Sequence, residues 1–205
     1  MADSKANVTP APASSQPGKS KAPNRAPLVW LDMEMTGLEP DRDVIIEIAS
    51  IVTDYQLNII AEGPDLVIKR DQSLFASMDD WNREHHTKSG LWAKVVSSDI
   101  TERDAEQLTL EFLRKHVNQR ESPLCGNTIW QDRRFLLRYM KDLEAYMHYR
   151  LVDVSTIKEL AARWYPEKTA SFARKKNAHR ALDDIRESIE EMKLYRETFF
   201  RSDLT

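Results

Sequence analysis

Cysteine is almost absent from this chain. Cys125 is the only one among 205 residues, so no disulfide can form within the chain, and no Cys/His cluster exists to build a zinc site. A reducing compartment, the cytoplasm, is the natural expectation. No apolar run approaches the roughly 20 residues a bilayer-spanning helix needs, and the N-terminus lacks the hydrophobic core of a secretory signal. Net charge is small as well, −3 at neutral pH, which excludes a strong global pull toward polyanions. Any action on nucleic acid must therefore rest on local chemistry. An acidic site that holds cations fits a near-neutral total. There is no internal repeat, and no linker interrupts residues 27–205.

The charged residues (31%) and hydrophobic residues (41%) are those of a globular chain long enough for one α/β domain with a real core. Residues 1–26 stand apart. Pro, Ser and Ala dominate from Pro10 to Gly18, followed by Lys19, Lys21 and Arg25. Such a stretch cannot bury enough surface to offset its ordering entropy, so a disordered tail is expected. A dispensable extension is the simplest reading; a basic RNA-steering arm and a transit peptide are alternatives. From Pro27 onward the pattern changes. Leu28–Leu31, Val44–Val52, Leu57–Ala61 and Leu66–Lys69 read as strands, with a tight connection at Asp54-Tyr55-Gln56. Helices are expected over 103–117, with Leu108, Phe112 and Leu113 inward, over 130–147, from a Ser155 cap through Trp164, and along a last helix with Leu182, Ile185, Ile189, Met192 and Phe199 on one face. Short strands fall at Pro123–Gly126 and Leu151–Val154. An antiparallel meander followed by α/β units predicts one three-layer α/β domain with a mixed central sheet flanked by helices.

Three features carry chemistry. Asp32 and Glu34 sit two apart on an apolar strand, so they share a face and repel each other unless a cation joins them. Alone, the pair fits an exposed edge strand equally well. His179 and Asp184 lie five residues apart at the start of the last helix, and Asp132 follows a buried strand. Each of these reads separately as a helix-terminus residue favoured by the dipole. Together they supply oxygen donors suited to Mg²⁺ or Mn²⁺. Four carboxylates can hold two such ions about 4 Å apart for in-line displacement at phosphorus. A histidine of ordinary pKa suits general-base duty.

The order Asp-x-Glu, Asp, His-x-x-x-x-Asp resembles the DEDDh exonucleases of the ribonuclease H-like superfamily, and the blocks LDMEMTGLEP, RDVIIEIASIVTD, MDDWN, CGNTIWQDRRFL, HYRLVDVSTIKELAARWYP and HRALDDIRESI resemble the oligoribonuclease family across residues 28–200. The resemblance implies a ribonuclease H-like fold and a 3′-to-5′ exoribonuclease that degrades very short single-stranded RNA to 5′-mononucleotides with two divalent ions. It implies that Asp32, Glu34, Asp132 and Asp184 bind metal and that His179 is the general base. It places Leu38 as a wedge against the terminal bases, Trp81 and His86 beside the substrate, and Asn127, Thr128 and Gln131 around its sugar and phosphate. It further implies a homodimer in which His148, Tyr149 and Arg150 come from the neighbouring subunit and close over the 5′ phosphate. Thr128 stands where a serine is common in the family. Residues 183, 153 and 47, all carboxylates, are left out of the site.

Overall fold

The computed structural model describes residues 25–170, 172 and 180–200. Nearly all of the tail expected over residues 1–26 lies outside them. The chain opens with three strands, β1 (Leu28–Met35), β2 (Ile45–Thr53) and β3 (Ile59–Val67). A short 3₁₀ segment (Gln72–Ser77), α1 (Asp80–Lys88), α2 (Leu91–Ser97) and α3 (Glu102–Arg114) follow. Next come β4 (Leu124–Gly126), α4 (Ile129–Tyr139), α5 (Lys141–Tyr146), β5 (Leu151–Asp153), α6 (Val154–Trp164), the single turn α7 (Pro166–Thr169) and α8 (Ala181–Phe199). The sheet order is β3-β2-β1-β4-β5. Strands β1 to β3 are antiparallel neighbours, whereas β4 runs parallel to both β1 and β5. The expected mixed three-layer sheet is therefore present.

Alternation along β1 sorts its side chains into two cores. Val29, Leu31 and Met33 join Leu110, Leu113, Phe135 and Leu136 on the α3–α5 side. Trp30 joins Ala49, Ile51, Cys125, Ile185 and Ile189 on the α6–α8 side. Asp32 and Glu34 share parity with Trp30 and so point toward α8. All nine residues of β2 are buried, as its β-branched run requires.

Several boundaries differ from expectation. The two segments Leu57–Ala61 and Leu66–Lys69 are parts of one strand, because β3 is an edge strand whose outer side needs no N–H, so Pro64 is tolerated. Leu57 instead occupies the turn, with φ 73°. In α3 the inward face is Ala105, Thr109, Leu110 and Leu113, while Leu108 is exposed; a capping box between Thr101 and Asp104 starts the helix. The expected helix over 130–147 breaks at Met140, whose φ of −132° ends α4 and opens α5. The cap of α6 is Asp153, whose carboxylate accepts from Ser155 N at 2.9 Å, rather than Ser155. Helix α1 leaves no apolar period in the sequence because its buried side chains, Asn82 and His86, are polar.

Candidate active site

Strand β1 and helix α8 bring the first acids together. One carboxylate oxygen from each of Asp32, Glu34 and Asp184 lies within 4.8 Å of the other two, and all three residues are half-buried. Asp184 reaches this point from the first turn of α8. Asp132 arrives from α4. It is buried, and its Oδ1 accepts a hydrogen bond from Met33 N at 3.2 Å, which seats it against the strand between the two β1 acids. Strands β1 and β4 run close just before it: a side chain on Gly126 would meet the Leu31 carbonyl oxygen at 2.9 Å.

So much like charge in one place shifts titrations. Burial, then Asp32, Glu47 and Asp184, push Glu34 up to about 9, against the opposing pull of Arg180. Burial and then Asp32 and Glu34 raise Asp132 well above the usual carboxylate range. Glu47 lies opposite Glu34 in the β1–β2 register and is fully buried. Its Oε1 accepts from Arg180 Nε at 2.8 Å, and its Oε2 accepts from Ala181 N at 3.2 Å. A strand carboxylate thus satisfies the first N–H of α8 and holds the guanidinium at the helix start. Arg180 also reaches Asp65 Oδ2 at 3.4 Å, so its charge is shared among several acids. The donor set is all oxygen, its negative charge exceeds the nearby positive charge, and the Glu34 and Asp132 carboxyls are raised by burial and by that crowding. These are the properties of a site that fits hard divalent cations.

A second network fixes the loop after β4. Asn127 Nδ2 donates to Ser188 Oγ at 2.8 Å and to Glu191 Oε2 at 3.1 Å, while its Oδ1 accepts from Ser155 Oγ at 3.1 Å. Burial works to raise the Glu191 carboxyl, but hydrogen bonds from Lys158, Tyr195 and Asn127 hold it below its ordinary value.

Comparison with known proteins agrees with this geometry. The family model described as "Exonuclease" matches residues 29–192. The oligoribonuclease of Yersinia pseudotuberculosis is 56% identical over 181 residues, covering 88% of this chain and 99% of that protein. That of Chromobacterium violaceum is 58% identical over 174 residues, covering 85% and 96%. The chain belongs to the oligoribonuclease family of exonucleases. Among solved structures, S. pombe Pop2p in its Mg²⁺- and Mn²⁺-bound form aligns with TM-score 0.63 at 17% identity, covering 85% of this chain and 84% of that one. E. coli Exonuclease I in complex with an oligonucleotide aligns with TM-score 0.65 at 15% identity, covering 85% and 41%. Those two share the fold.

The other residues expected from the family divide into exposed and committed ones. Leu38 and Trp81 are 66% and 65% exposed, and Trp81 stacks on His85 with ring centroids 4.7 Å apart. Tyr149 is 70% exposed. Its ring lies against His148 and Arg150, and its carbonyl accepts from Arg133 Nη1 at 2.7 Å. His86, by contrast, is 1% exposed; its Nε2 donates to the Met35 carbonyl at 2.9 Å, and burial lowers its pKa. Its Nε2 is thus committed to the backbone of Met35, next to Glu34 on β1. Asn127 is likewise occupied by the scaffold, and Gln131 is buried with its amide on the Leu38 carbonyl. His179 lies outside the described residues. Asp183, left out of the site, is exposed and paired with Arg186 at 2.8 Å. Glu47 and Arg180 were not singled out from sequence as a pair; an acid inside the β-branched run Val44–Val52 was the one available signal.

Thr128 is exposed and adopts a left-handed backbone, φ 53° and ψ 29°, at the start of α4. A β-branched residue is strained there by about 1–2 kcal/mol. Its N–H is held by Asp153 Oδ1 and Ser155 Oγ, each at 3.0 Å. Thr128→Asn keeps that N–H and suits the conformation, so thermal unfolding should shift up by about 2–4 °C. An unchanged or lower midpoint would show that the backbone is not under strain.

Proposed function

We propose that this protein is a 3′-to-5′ exoribonuclease that degrades very short single-stranded oligoribonucleotides, dinucleotides included, to 5′-mononucleotides. The observation that carries the reading is the Asp32–Glu34–Asp184 cluster in a chain that aligns with oligoribonucleases over nearly their whole length. Asp32, Glu34, Asp132 and Asp184 would hold two divalent ions, Mg²⁺ or Mn²⁺. Bound there, such ions neutralise charge on the phosphate and acidify water. His179 is assigned as the base that takes the proton from the attacking water. Leu38 and Trp81, apolar and exposed, supply faces for bases to pack and stack on. Thr128 offers a hydroxyl to the sugar-phosphate, whereas Asn127, Gln131 and His86 act by holding neighbouring groups in place.

A homodimer supplies the 5′ boundary in this reading, with His148, Tyr149 and Arg150 of a second copy closing over the substrate. Tyr149 supports it: a large aromatic side chain stands out from the surface, and its backbone is fixed by Arg133, itself paired with Glu144 at 2.6 Å. Tyr149→Ala should lower dinucleotide turnover about tenfold, the worth of one aromatic contact of roughly 1.4 kcal/mol, with the unfolding midpoint unchanged. Full activity would remove the segment from the site. Among the described residues no helix is long and apolar enough to cross a membrane, and the single buried thiol of Cys125 suits a reducing, cytoplasmic setting.

The deciding experiment follows labelled RNAs from dinucleotide upward with and without Mg²⁺. The expected result is metal-dependent release of 5′-mononucleotides from the 3′ end, fastest on the shortest chains. Equal rates on a dinucleotide and a long strand would refute the length selectivity, and metal-independent products would refute the assigned site.

A further inference from the structure

We infer that α4 acts as a clamp that sets the distance between the carboxylate cluster and the exposed wedge Leu38, with Gln131 and Tyr139 as specificity-positioning residues; this rests on the wedge role given to Leu38 above. The segment that matters runs from Met33 to Leu38. Consecutive residues of α4 grip its two ends. Asp132 accepts from Met33 N, and Gln131 Nε2 donates to the Leu38 carbonyl. The orientation of the Gln131 amide is decided by its other end, because Arg134 Nη1 donates to its Oε1 at 2.8 Å and leaves Nε2 to face Leu38. Arg134 itself reaches Glu39 Oε2 at 3.3 Å.

Two turns further along α4, the Tyr139 hydroxyl lies 2.8 Å from the carbonyl oxygens of both Pro40 and Asp43 and shares its one proton between them. The loop is closed from within by the buried Asp43, whose Oδ2 accepts from Glu39 N at 2.9 Å. That carboxylate fills the space beside Gly37, where a Cβ would come within 2.5 Å of it. At the near end, Thr36 Oγ1 accepts from Val44 N at 3.0 Å. A turn tip in a soluble protein is ordinarily its least restrained part. This one is held along its whole length and yet presents a leucine to solvent. Fixing the backbone in advance removes the ordering cost that binding would otherwise incur, so the geometry selects which phosphodiester lies over the acids when a base meets Leu38.

The test is a double-mutant cycle on a dinucleotide, reading KM and kcat separately. Tyr139→Phe removes one hydroxyl, and Gln131→Met keeps side-chain volume while losing the amide. Each should raise KM about threefold to tenfold with a smaller change in kcat. Leu38→Ala should raise KM at least as much. In the Leu38→Ala background, Tyr139→Phe and Gln131→Met should add nothing, since they act through a side chain no longer there. Multiplying effects would overturn the proposal and assign these residues to direct substrate contact. A lowered unfolding midpoint with unchanged KM would also overturn it, as a purely structural role. If Leu38→Ala leaves KM unchanged, the wedge and the clamp both fall while metal-dependent nuclease action stands. Loss of that broader reading would show separately, as no turnover by the unaltered protein.

Discussion

Glu34→Gln should cut metal-dependent turnover on the order of 10³-fold or more and make the metal-free protein more resistant to heat. Both expectations follow from one carboxylate. Removing it takes away a proposed metal ligand and with it several kcal/mol of charge stabilisation at phosphorus, a rate loss on the order of 10³-fold or more. The stability gain follows from titration. Glu34 is held up to about 9 in the folded chain, above its ordinary 4.5. A group raised on folding contributes its full stability below the unfolded pKa, and that contribution is lost as pH rises through the folded one. The metal-free protein should therefore lose stability steadily between pH 4.5 and 9. Glutamine mimics the protonated acid at every pH, so the variant should escape this loss, with a midpoint at least about 3 °C higher at pH 7 to 8. In the unaltered protein, Mg²⁺ should stabilise increasingly as pH rises, because binding must displace the proton. Thermal melts in chelator and in Mg²⁺ across this range check all of it. A metal-free protein whose midpoint is flat from pH 5 to 9 would contradict the raised titration.

Glu47→Ala should act in the opposite sense and cost stability. Glu47 is fully buried, and it satisfies both Arg180 and the first N–H of α8. Breaking a buried pair by removing one partner costs about 3–5 kcal/mol. Asp65 remains within 3.4 Å of Arg180, which places the expectation at the low end, about 3 kcal/mol, or a midpoint lower by roughly 6–12 °C. Glu47→Gln keeps an acceptor for Ala181 N and should fall between the two. Activity should drop alongside, since the start of α8 places Asp184. Midpoints in chelator isolate the folding effect from metal binding, and an undiminished value for Glu47→Ala would show that Arg180 finds an equivalent partner.

Much of this was legible in the sequence because it depends on local periods. Strand alternation alone predicted that Asp32 and Glu34 share a face, and the two β1 cores bear it out. The β-branched run of β2 and the apolar face of α8 likewise announce themselves. Contacts between distant segments were not legible. Nothing local ties Glu47 to Arg180, or Asn127 to Ser188 and Glu191, since each pair joins different elements. The same cause explains the residues expected to touch substrate that are occupied elsewhere: His86 and Gln131 reach Met35 and Leu38 only because α1 and α4 are brought against the end of β1. Helix α1 itself was hidden, as an element with a polar inward face has no hydrophobic period to read.

The outer edge of β3 bears on how two copies can meet. Exposed Ile59 and Ile60 invite another strand to add there. Further along, Pro64 interrupts the row of donors, while Glu62 and Asp65 are paired with Arg186 and Arg180. The chain's own proline thus shortens the stretch of edge along which a second strand can add. Crowding of many copies should therefore seed little strand-by-strand aggregation from this side of the molecule.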